Sequence, residues 1–122
     1  MARILVIDDE YYVRALVTKI LERRGHEIVE ASNGQEGIDF FDQGGRADMV
    51  LTDIFMPEKD GIETLRYLRK EFPDMKIVVF SGGGKGLAKG YLPAATALGA
   101  DATIEKPFDP AEFGQRIDDL LG

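Results

Sequence analysis

Apolar runs and amphipathic stretches alternate along this chain, and the alternation is the feature that most restricts its possible folds. Each short apolar run is typical of a buried strand, and most are followed by apolar residues recurring at helical spacing. The predicted strands are residues 3–7, 27–31, 49–52, 76–80 and 102–105. Five such alternations favour a parallel sheet with helices on both of its faces.

The helical stretches begin and end at recognisable signals. Gly25 ends the first predicted helix, and Gly44-Gly45 ends the second. Three start signals precede helices, namely the capping-box pattern Ser32-Asn33-Gly34-Gln35, the acidic cap Asp60-Gly61-Ile62-Glu63 and the sequence Asp109-Pro110-Ala111-Glu112. Between the fourth and fifth strands, several glycines disfavour a helix start, each by about 1 kcal/mol relative to alanine. We therefore predict a mobile segment over residues 82–92, followed by a helix that is firm only towards its end near residue 98.

The polarity of the strands predicts their order in the sheet. The first, third and fourth strands are apolar throughout, which indicates central positions buried on both faces. The second strand (Glu27-Ile28-Val29-Glu30) and the fifth (Thr103-Ile104-Glu105) are more polar and are expected at the edges. This distribution fits a doubly wound α/β sandwich of three layers with the strand order 2-1-3-4-5.

Composition excludes several classes of function. With 122 residues and 44% hydrophobic content, the chain is expected to form one domain over residues 1–122. It has no cysteine, which rules out disulfides and thiolate chemistry. No apolar run reaches membrane-spanning length and the first residues lead directly into a strand, so we expect no membrane association and a cytoplasmic location. A net charge of -7 opposes nucleic-acid binding by this chain alone.

Chemically active side chains follow the ends of the predicted strands. Asp8 and Asp9 follow the first strand, Asp53 the third, Ser81 the fourth and Lys106 the fifth. Strands 1 and 3 are neighbours at the point where the strand order reverses, so the three carboxylates are expected in one crevice. Like charges this close repel by a few kcal/mol, which a hard divalent cation such as Mg²⁺ or Mn²⁺ relieves.

A lysine and a hydroxyl are expected on the other side of the same carboxylate. Lys106 would bring an ammonium group and Ser81 a hydroxyl donor towards Asp53. A cation, a lysine and a hydroxyl around one carboxylate are the groups that stabilise a phosphoryl group carried on that carboxylate. The spacing therefore favours phosphoryl chemistry at Asp53.

These strand-end positions and the pattern of the whole chain resemble the response-regulator receiver domains of two-component phosphorelays, including chemotaxis regulators. The resemblance implies a flavodoxin-like (βα)5 fold and a phosphoacceptor role for Asp53. It also implies a metal site in which Asp9 and Asp53 are ligands, Asp8 assists, and the backbone carbonyl of Phe55 completes the protein's share.

The resemblance also implies how a phosphoryl group would be held. Ser81 and the backbone amide of Gly82 would bond the group, and Lys106 would pair first with Asp53 and then with the phosphoryl oxygens. Members of the family commonly have a cis bond between this lysine and the following proline, here Pro107. They usually have an aromatic residue three positions before the lysine, and this chain has Thr103 there.

By resemblance, the chain is a phosphorylated signalling switch rather than an enzyme. A sensor histidine kinase or a histidine phosphotransfer protein would donate the phosphoryl group. The output would act on an unidentified downstream protein through the predicted fourth helix, the fifth strand and the last helix.

Two other functions remain as alternatives. One is a receiver-like docking module that works without phosphorylation. The other is a flavodoxin-like flavin binder, disfavoured because an acidic loop after strand 1 would repel a flavin phosphate. His26, the only histidine, is interpreted as structural. For Tyr11 and Tyr12 the sequence leaves open whether they dock a kinase or cover the first helix.

Overall fold

The structure is a computed structural model that describes residues 1–53, 61–82, 99–106 and 109–122, without the side chains of residues 61, 62, 81, 82, 105 and 106. Five strands and four helices lie in these ranges. In chain order they are β1 (Arg3–Ile7), α1 (Tyr11–Glu22), β2 (Glu27–Ala31), α2 (Gly34–Asp42), β3 (Met49–Asp53), α3 (Gly61–Glu71), β4 (Lys76–Gly82), β5 (Ala102–Lys106) and α4 (Pro110–Leu121). No helix in the described ranges is long and apolar enough to cross a membrane.

The five strands form one parallel sheet in the order β2-β1-β3-β4-β5, which confirms the predicted order. Every residue of β3 is buried, whereas the edge strand β2 is half-exposed along most of its length. The central strands are apolar because helices cover both of their faces. The fold is the flavodoxin-like doubly wound sandwich that the sequence predicts.

Two apolar cores lie on opposite faces of the sheet. Because alternate strand residues point to opposite faces, each central strand contributes to both cores. One core joins the sheet to α2 and α3 through residues that include Leu5, Val50, Phe41, Leu65 and Leu68. The other joins it to α1 and α4 through residues that include Val6, Leu51, Val17, Phe113 and Ile117.

Three strands continue past their predicted ends. Strand β3 ends at Asp53, β4 at Gly82 and β5 at Lys106. The extension follows from pairing between neighbours, because Asp53 is in register with Phe80, and Gly82 with Lys106. Asp53 and Lys106, predicted to follow their strands, are therefore the last residues of β3 and β5, and Ser81 lies within β4, so the sheet fixes the backbones of all three.

The N-terminus of α2 differs from the predicted capping box by one residue. Asn33, not Ser32, is the N-cap, and its side-chain oxygen accepts a hydrogen bond from the backbone N–H of Glu36 at 2.8 Å. The carboxylate of Glu36 in turn accepts from the backbone N–H of Ser32 at 2.7 Å. Gln35 is not the reciprocal partner, because its side chain donates to Asp39 one turn along the helix.

The start of α4 is as predicted. Asp109 is the N-cap and accepts from the backbone N–H of Glu112 at 3.0 Å, and Pro110 occupies the first turn. Of the predicted mobile segment 82–92, Gly82 belongs to β4, and the rest lies outside the described residues together with the helix predicted to end near residue 98. Pro107 also lies outside them.

Arginine contacts join the helices to the amino ends of the strands. Arg69 of α3 donates to the backbone carbonyls of Gly99, Pro73 and Met75 at 2.6–3.0 Å and pairs with the carboxylate of Asp101 at 2.9 Å. The same Asp101 oxygen accepts from the backbone N–H of Ile77 at 2.8 Å. One guanidinium group thus holds together the chain that enters β4 and the chain that enters β5.

A second group of contacts joins α1, β2 and α4 at the same end of the sheet. Arg24 lies over Gly114, where an added Cβ would be only 2.7 Å from the Cδ of Arg24. The Arg24 guanidinium group pairs with the carboxylate of Asp118 at 2.7 Å. His26 accepts from the backbone N–H of Ala2 through Nδ1 at 3.1 Å and contacts the same Asp118 through Nε2 at 2.6 Å. Asp118 therefore fixes α4 against both the end of α1 and the start of β2.

Candidate functional site

The register of the central strands brings Asp8 and Asp53 to the same edge of the sheet. Ile7 of β1 is paired with Thr52 of β3, so the residues that follow them lie at the same level on neighbouring strands. Both carboxyl groups are buried, Asp8 completely and Asp53 with 5% exposure. Buried ionisable groups at the carboxyl ends of parallel strands are the usual sign of a functional site in this kind of fold.

The loop after β1 concentrates negative charge. Carboxylate oxygens of Asp8, Asp9 and Glu10 all lie within 4.8 Å of one another. The Asp8 carboxylate is oriented by the backbone N–H of Glu10, which donates to its Oδ1 at 2.8 Å. The proximity of Asp8 and Asp9 is predictable from the sequence, whereas a role for Glu10 is not, although its place directly after the pair is the available signal.

The charge of this acidic loop affects a neighbouring tyrosine. The hydroxyl of Tyr12 donates to Oε2 of Glu10 at 2.6 Å. This hydrogen bond, together with the nearby negative charge of Glu10, Asp8 and Asp9, raises the pKa of Tyr12 above its ordinary value. Loss of the phenol proton would place one more negative charge beside three carboxylates.

The acidic loop fits a hard divalent cation. Asp9 is exposed, and within the described part of the chain its carboxylate makes no hydrogen bond or ion pair. Three like charges at such distances repel one another, and an all-oxygen set of ligands is the type that Mg²⁺ binds. The described residues are compatible with the metal site predicted at Asp8 and Asp9, which stays a prediction, and the third carboxylate of their cluster is that of Glu10 rather than Asp53. Phe55, the predicted carbonyl ligand, lies outside the described residues.

The acidic loop is held from the side by α1. Nη1 of Arg14 donates to the backbone carbonyl of Asp8 at 2.7 Å, and Nε donates to the carboxylate of Glu30 at 3.2 Å. Thr18 donates to the other oxygen of Glu30 at 3.1 Å. Arg14 and Glu30 are not identifiable as site residues from the sequence, because they come together only when α1 packs against the end of β2.

Three further predicted positions also lie at this edge of the sheet. Ser81 is in register with Glu105, and Gly82 with Lys106, one and two positions beyond the pair formed by Asp53 and Phe80. Their backbones are therefore at the same end of neighbouring strands. The side chains of Ser81 and Lys106 lie outside the described part, so their contacts with Asp53 stay predictions.

Comparison with known proteins agrees with this geometry. The sequence matches the family model of the response regulator receiver domain over residues 4–118. The chain belongs to this family. Receiver domains work with histidine kinases in two-component signal transduction, as the relatives described next illustrate.

Relatives differ in how much of their own length this receiver domain spans. It is 34% identical to the sensor kinase CckA of Brucella abortus over 98% of this chain, but spans 12% of that protein. It is 31% identical to a chemotaxis protein CheY homolog of Campylobacter jejuni, with 98% of this chain and 92% of that protein covered. The solved structure of the response regulator TrrA of Thermotoga maritima, in complex with Mg²⁺ and BeF, matches with a TM-score of 0.84 and 32% identity, covering 98% of this chain and 99% of that one.

Two tyrosines next to the acidic loop are exposed on this receiver domain. Tyr11 is 72% exposed and Tyr12 is 68% exposed. Both interpretations left open by the sequence, kinase docking and cover of α1, stay predictions.

Two other predicted residues lie away from the acidic loop. His26 makes the contacts with Ala2 and Asp118 described above, at the opposite end of the sheet, which supports its structural interpretation. Thr103, the second residue of β5, is partly buried and paired with Val79. Its part in switching stays a prediction.

Proposed function

We propose that this receiver domain accepts a phosphoryl group on Asp53 from a phosphohistidine of a sensor histidine kinase or a histidine phosphotransfer protein. The observation that carries the proposal is the burial of the Asp53 carboxyl group on the last residue of β3, beside the acidic loop. A carboxylate kept in this place has a cost in stability, which a role in chemistry explains.

In the proposed reaction, a carboxylate oxygen of Asp53 attacks the phosphorus atom in line with the leaving imidazole. The new O–P bond forms as the P–N bond breaks, and the electron pair of that bond returns to the imidazole nitrogen. The sheet holds the backbone of Asp53 in place, and burial limits the access of water to its carboxylate. Both effects favour an oriented nucleophile.

The remaining residues of the site would bind and neutralise charge. Asp9 and Asp53 would hold Mg²⁺ with help from Asp8, and the ion would supply positive charge next to the transferring group. Lys106 and Ser81 would bind phosphoryl oxygens from the ends of β5 and β4, a role supported by the register of those strands. Hydrolysis of the aspartyl phosphate by water would reset the switch, so the chain acts as a signalling switch and not as an enzyme with a separate substrate.

The direct test is the intact mass of the protein after incubation with a small-molecule phosphodonor and Mg²⁺. Wild type is expected to gain the mass of one phosphoryl group, and Asp53→Asn is expected to gain none. Asp74→Asn is a matched control, since it makes the same chemical change at an exposed aspartate in the loop after α3. Equal gain in Asp53→Asn and wild type would refute Asp53 as the acceptor.

A second candidate function is a receiver-like docking module that works without phosphorylation. Thr103 favours it, because this position lacks the aromatic side chain that usually couples phosphorylation to the output face in the family. The same mass measurement separates the two. No gain in wild type with the small donor and with every tested histidine kinase would favour docking alone.

A further inference from the structure

The acidic loop is held in position mainly through Asp8. The backbone N–H of Asp8 donates to the carbonyl of Ala31 at 3.1 Å, which ties the loop to the end of β2. The Asp8 carboxylate accepts from the backbone N–H of Glu10. The Asp8 carbonyl accepts from Arg14, which is the one contact among these made by a positively charged side chain.

Arg14 is well placed to hold that carbonyl rigidly. Its side chain is only 15% exposed, and its second hydrogen bond, to Glu30, prevents the guanidinium group from turning away. Glu30 is itself held by Thr18, and the guanidinium carbon lies 5.8 Å from the centre of the Tyr11 ring. A planar guanidinium fixed at two points is a more rigid donor than a lysine ammonium would be.

We propose that Arg14 is a positioning residue for the metal site, and this inference rests on the proposed function. The carbonyl of Asp8 and the backbone nitrogen of Asp9 belong to one planar peptide unit, so holding the carbonyl fixes the plane from which the Asp9 side chain extends. Arg14 thereby sets where the exposed carboxylate of Asp9 lies relative to that of Asp8. Without Arg14, this peptide unit can rotate, and the carboxylates no longer start in a cation-binding arrangement.

Electrostatics alone predicts the opposite change in Mg²⁺ affinity when Arg14 is removed, so the direction of the change tests the proposal. Arg14 carries a positive charge beside a site for a cation, so removing it reduces repulsion and should strengthen Mg²⁺ binding. A positioning role predicts weaker binding when the residue is removed, because the order of the ligands is lost. Changes in the second layer of a metal site typically weaken binding by about 10–100-fold.

The experiment measures Mg²⁺ affinity by isothermal titration on the unphosphorylated protein, without a phosphodonor. Arg14→Ala is expected to bind Mg²⁺ about tenfold more weakly than wild type. Arg14→Lys keeps the charge but cannot bond both acceptors with the same geometry, so its affinity is expected to lie between the two. Lys19→Ala removes an exposed positive charge from the same helix and is expected to change affinity by less than about twofold.

A second measurement separates positioning from a general loss of structure. The rate of phosphorylation by the small donor is followed as Mg²⁺ is varied. The Mg²⁺ concentration for half-maximal rate is expected to rise about tenfold in Arg14→Ala, with the rate at saturating Mg²⁺ unchanged. If Arg14→Ala fails to fold by circular dichroism, Arg14→Lys decides the question through the same two measurements.

The possible failures are distinguishable. In the first case, the wild type binds Mg²⁺ and is phosphorylated, but both Arg14 variants bind Mg²⁺ as tightly as the wild type or more tightly. This result overturns the role of Arg14 and leaves the proposed function standing. The role of Arg14 is also overturned if Arg14→Ala is phosphorylated more slowly at saturating Mg²⁺ while the Mg²⁺ concentration for half-maximal rate is unchanged. A wild type that binds no Mg²⁺ overturns this inference and the metal-dependent function together.

Discussion

The two ends of the sheet use charge in opposite ways. At the carboxyl end, three carboxylates lie within 4.8 Å of one another in the acidic loop, next to the buried Asp53. At the amino end, charges of opposite sign are paired, as in Arg3–Glu27, Arg24–Asp118 and Arg69–Asp101. The first arrangement lowers stability and favours binding of a cation, whereas the second joins helices to strands. The ion pairs that join helices to strands and the residues of the proposed site thus lie largely at opposite ends of the same strands.

The comparison predicts that the amino end is the more sensitive to loss of a single side chain. Arg69→Ala is expected to lower the free energy of unfolding by about 3 kcal/mol, since it leaves several partly buried carbonyls and the Asp101 carboxylate without their donor. Urea unfolding measures the change. Arg66→Ala, an exposed arginine of the same helix, is the control and is expected to cost less than about 0.5 kcal/mol. Equal losses in the two variants would mean that the Arg69 contacts contribute little.

At the carboxyl end, a single substitution should move stability and binding in opposite directions. Asp9→Asn is expected to weaken Mg²⁺ binding by at least about a hundredfold, because it replaces a proposed ligand. Even substitutions of residues that only orient a ligand lower metal affinity by about 10–100-fold. In a chelator the same variant should be more stable by about 1 kcal/mol, because one of three like charges is removed. Titration calorimetry and thermal unfolding in EDTA measure the two effects. If Asp9→Asn is instead less stable than wild type in EDTA, the negative charges of the acidic loop do not lower stability and the contrast between the two ends is wrong.

The smallest predicted effect concerns the pH dependence of the amino end. The hydrogen bond with His26 and the contacts with Arg24 hold the pKa of Asp118 below its ordinary value. A lowered pKa in the folded state stabilises the protein above about pH 4, the ordinary aspartate value, and this contribution is lost as pH falls through the folded-state pKa. The carboxylate is one-third exposed, so solvent screening keeps the effect small.

The variant Asp118→Asn should therefore lose less stability than wild type between pH 5 and pH 2. Glu36, whose pKa is also lowered through its hydrogen bond with the Ser32 backbone, remains in the variant, so some acid dependence persists. Urea unfolding at a series of pH values measures the slopes, and Asp119→Asn, an exposed neighbour on α4, is the control. If the free energy of unfolding of Asp118→Asn falls as steeply with pH as that of wild type, Asp118 does not contribute to the loss of stability in acid.

Properties that depend on local composition were predictable from the sequence. The strand order follows from which strands are apolar throughout, because only central strands are buried on both faces. The placement of Asp8 and Asp53 at one edge of the sheet follows from that order and from their positions at strand ends. In both cases the pattern within a few residues determines the outcome.

Properties that depend on contacts between distant elements were not predictable. The extension of β3 to Asp53 requires a neighbour to pair with, and the role of Arg14 requires α1 to lie against Glu30 on the next strand. The cap of α2 was placed one residue too early, because Ser32 and Asn33 are both good N-caps and the choice depends on the reach of Glu36.

The contacts of His26 argue against it as the phosphoryl donor in the proposed reaction. Its Nδ1 accepts from the backbone N–H of Ala2 and its Nε2 contacts the carboxylate of Asp118, so both ring nitrogens are engaged. The ring is 7% exposed and lies at the far end of the sheet from Asp53. It is the only histidine in the sequence. In the proposed reaction, the imidazole that would deliver a phosphoryl group to Asp53 therefore lies outside these 122 residues. With a separate donor protein present below saturation, the rate of phosphorylation should rise in proportion to donor concentration.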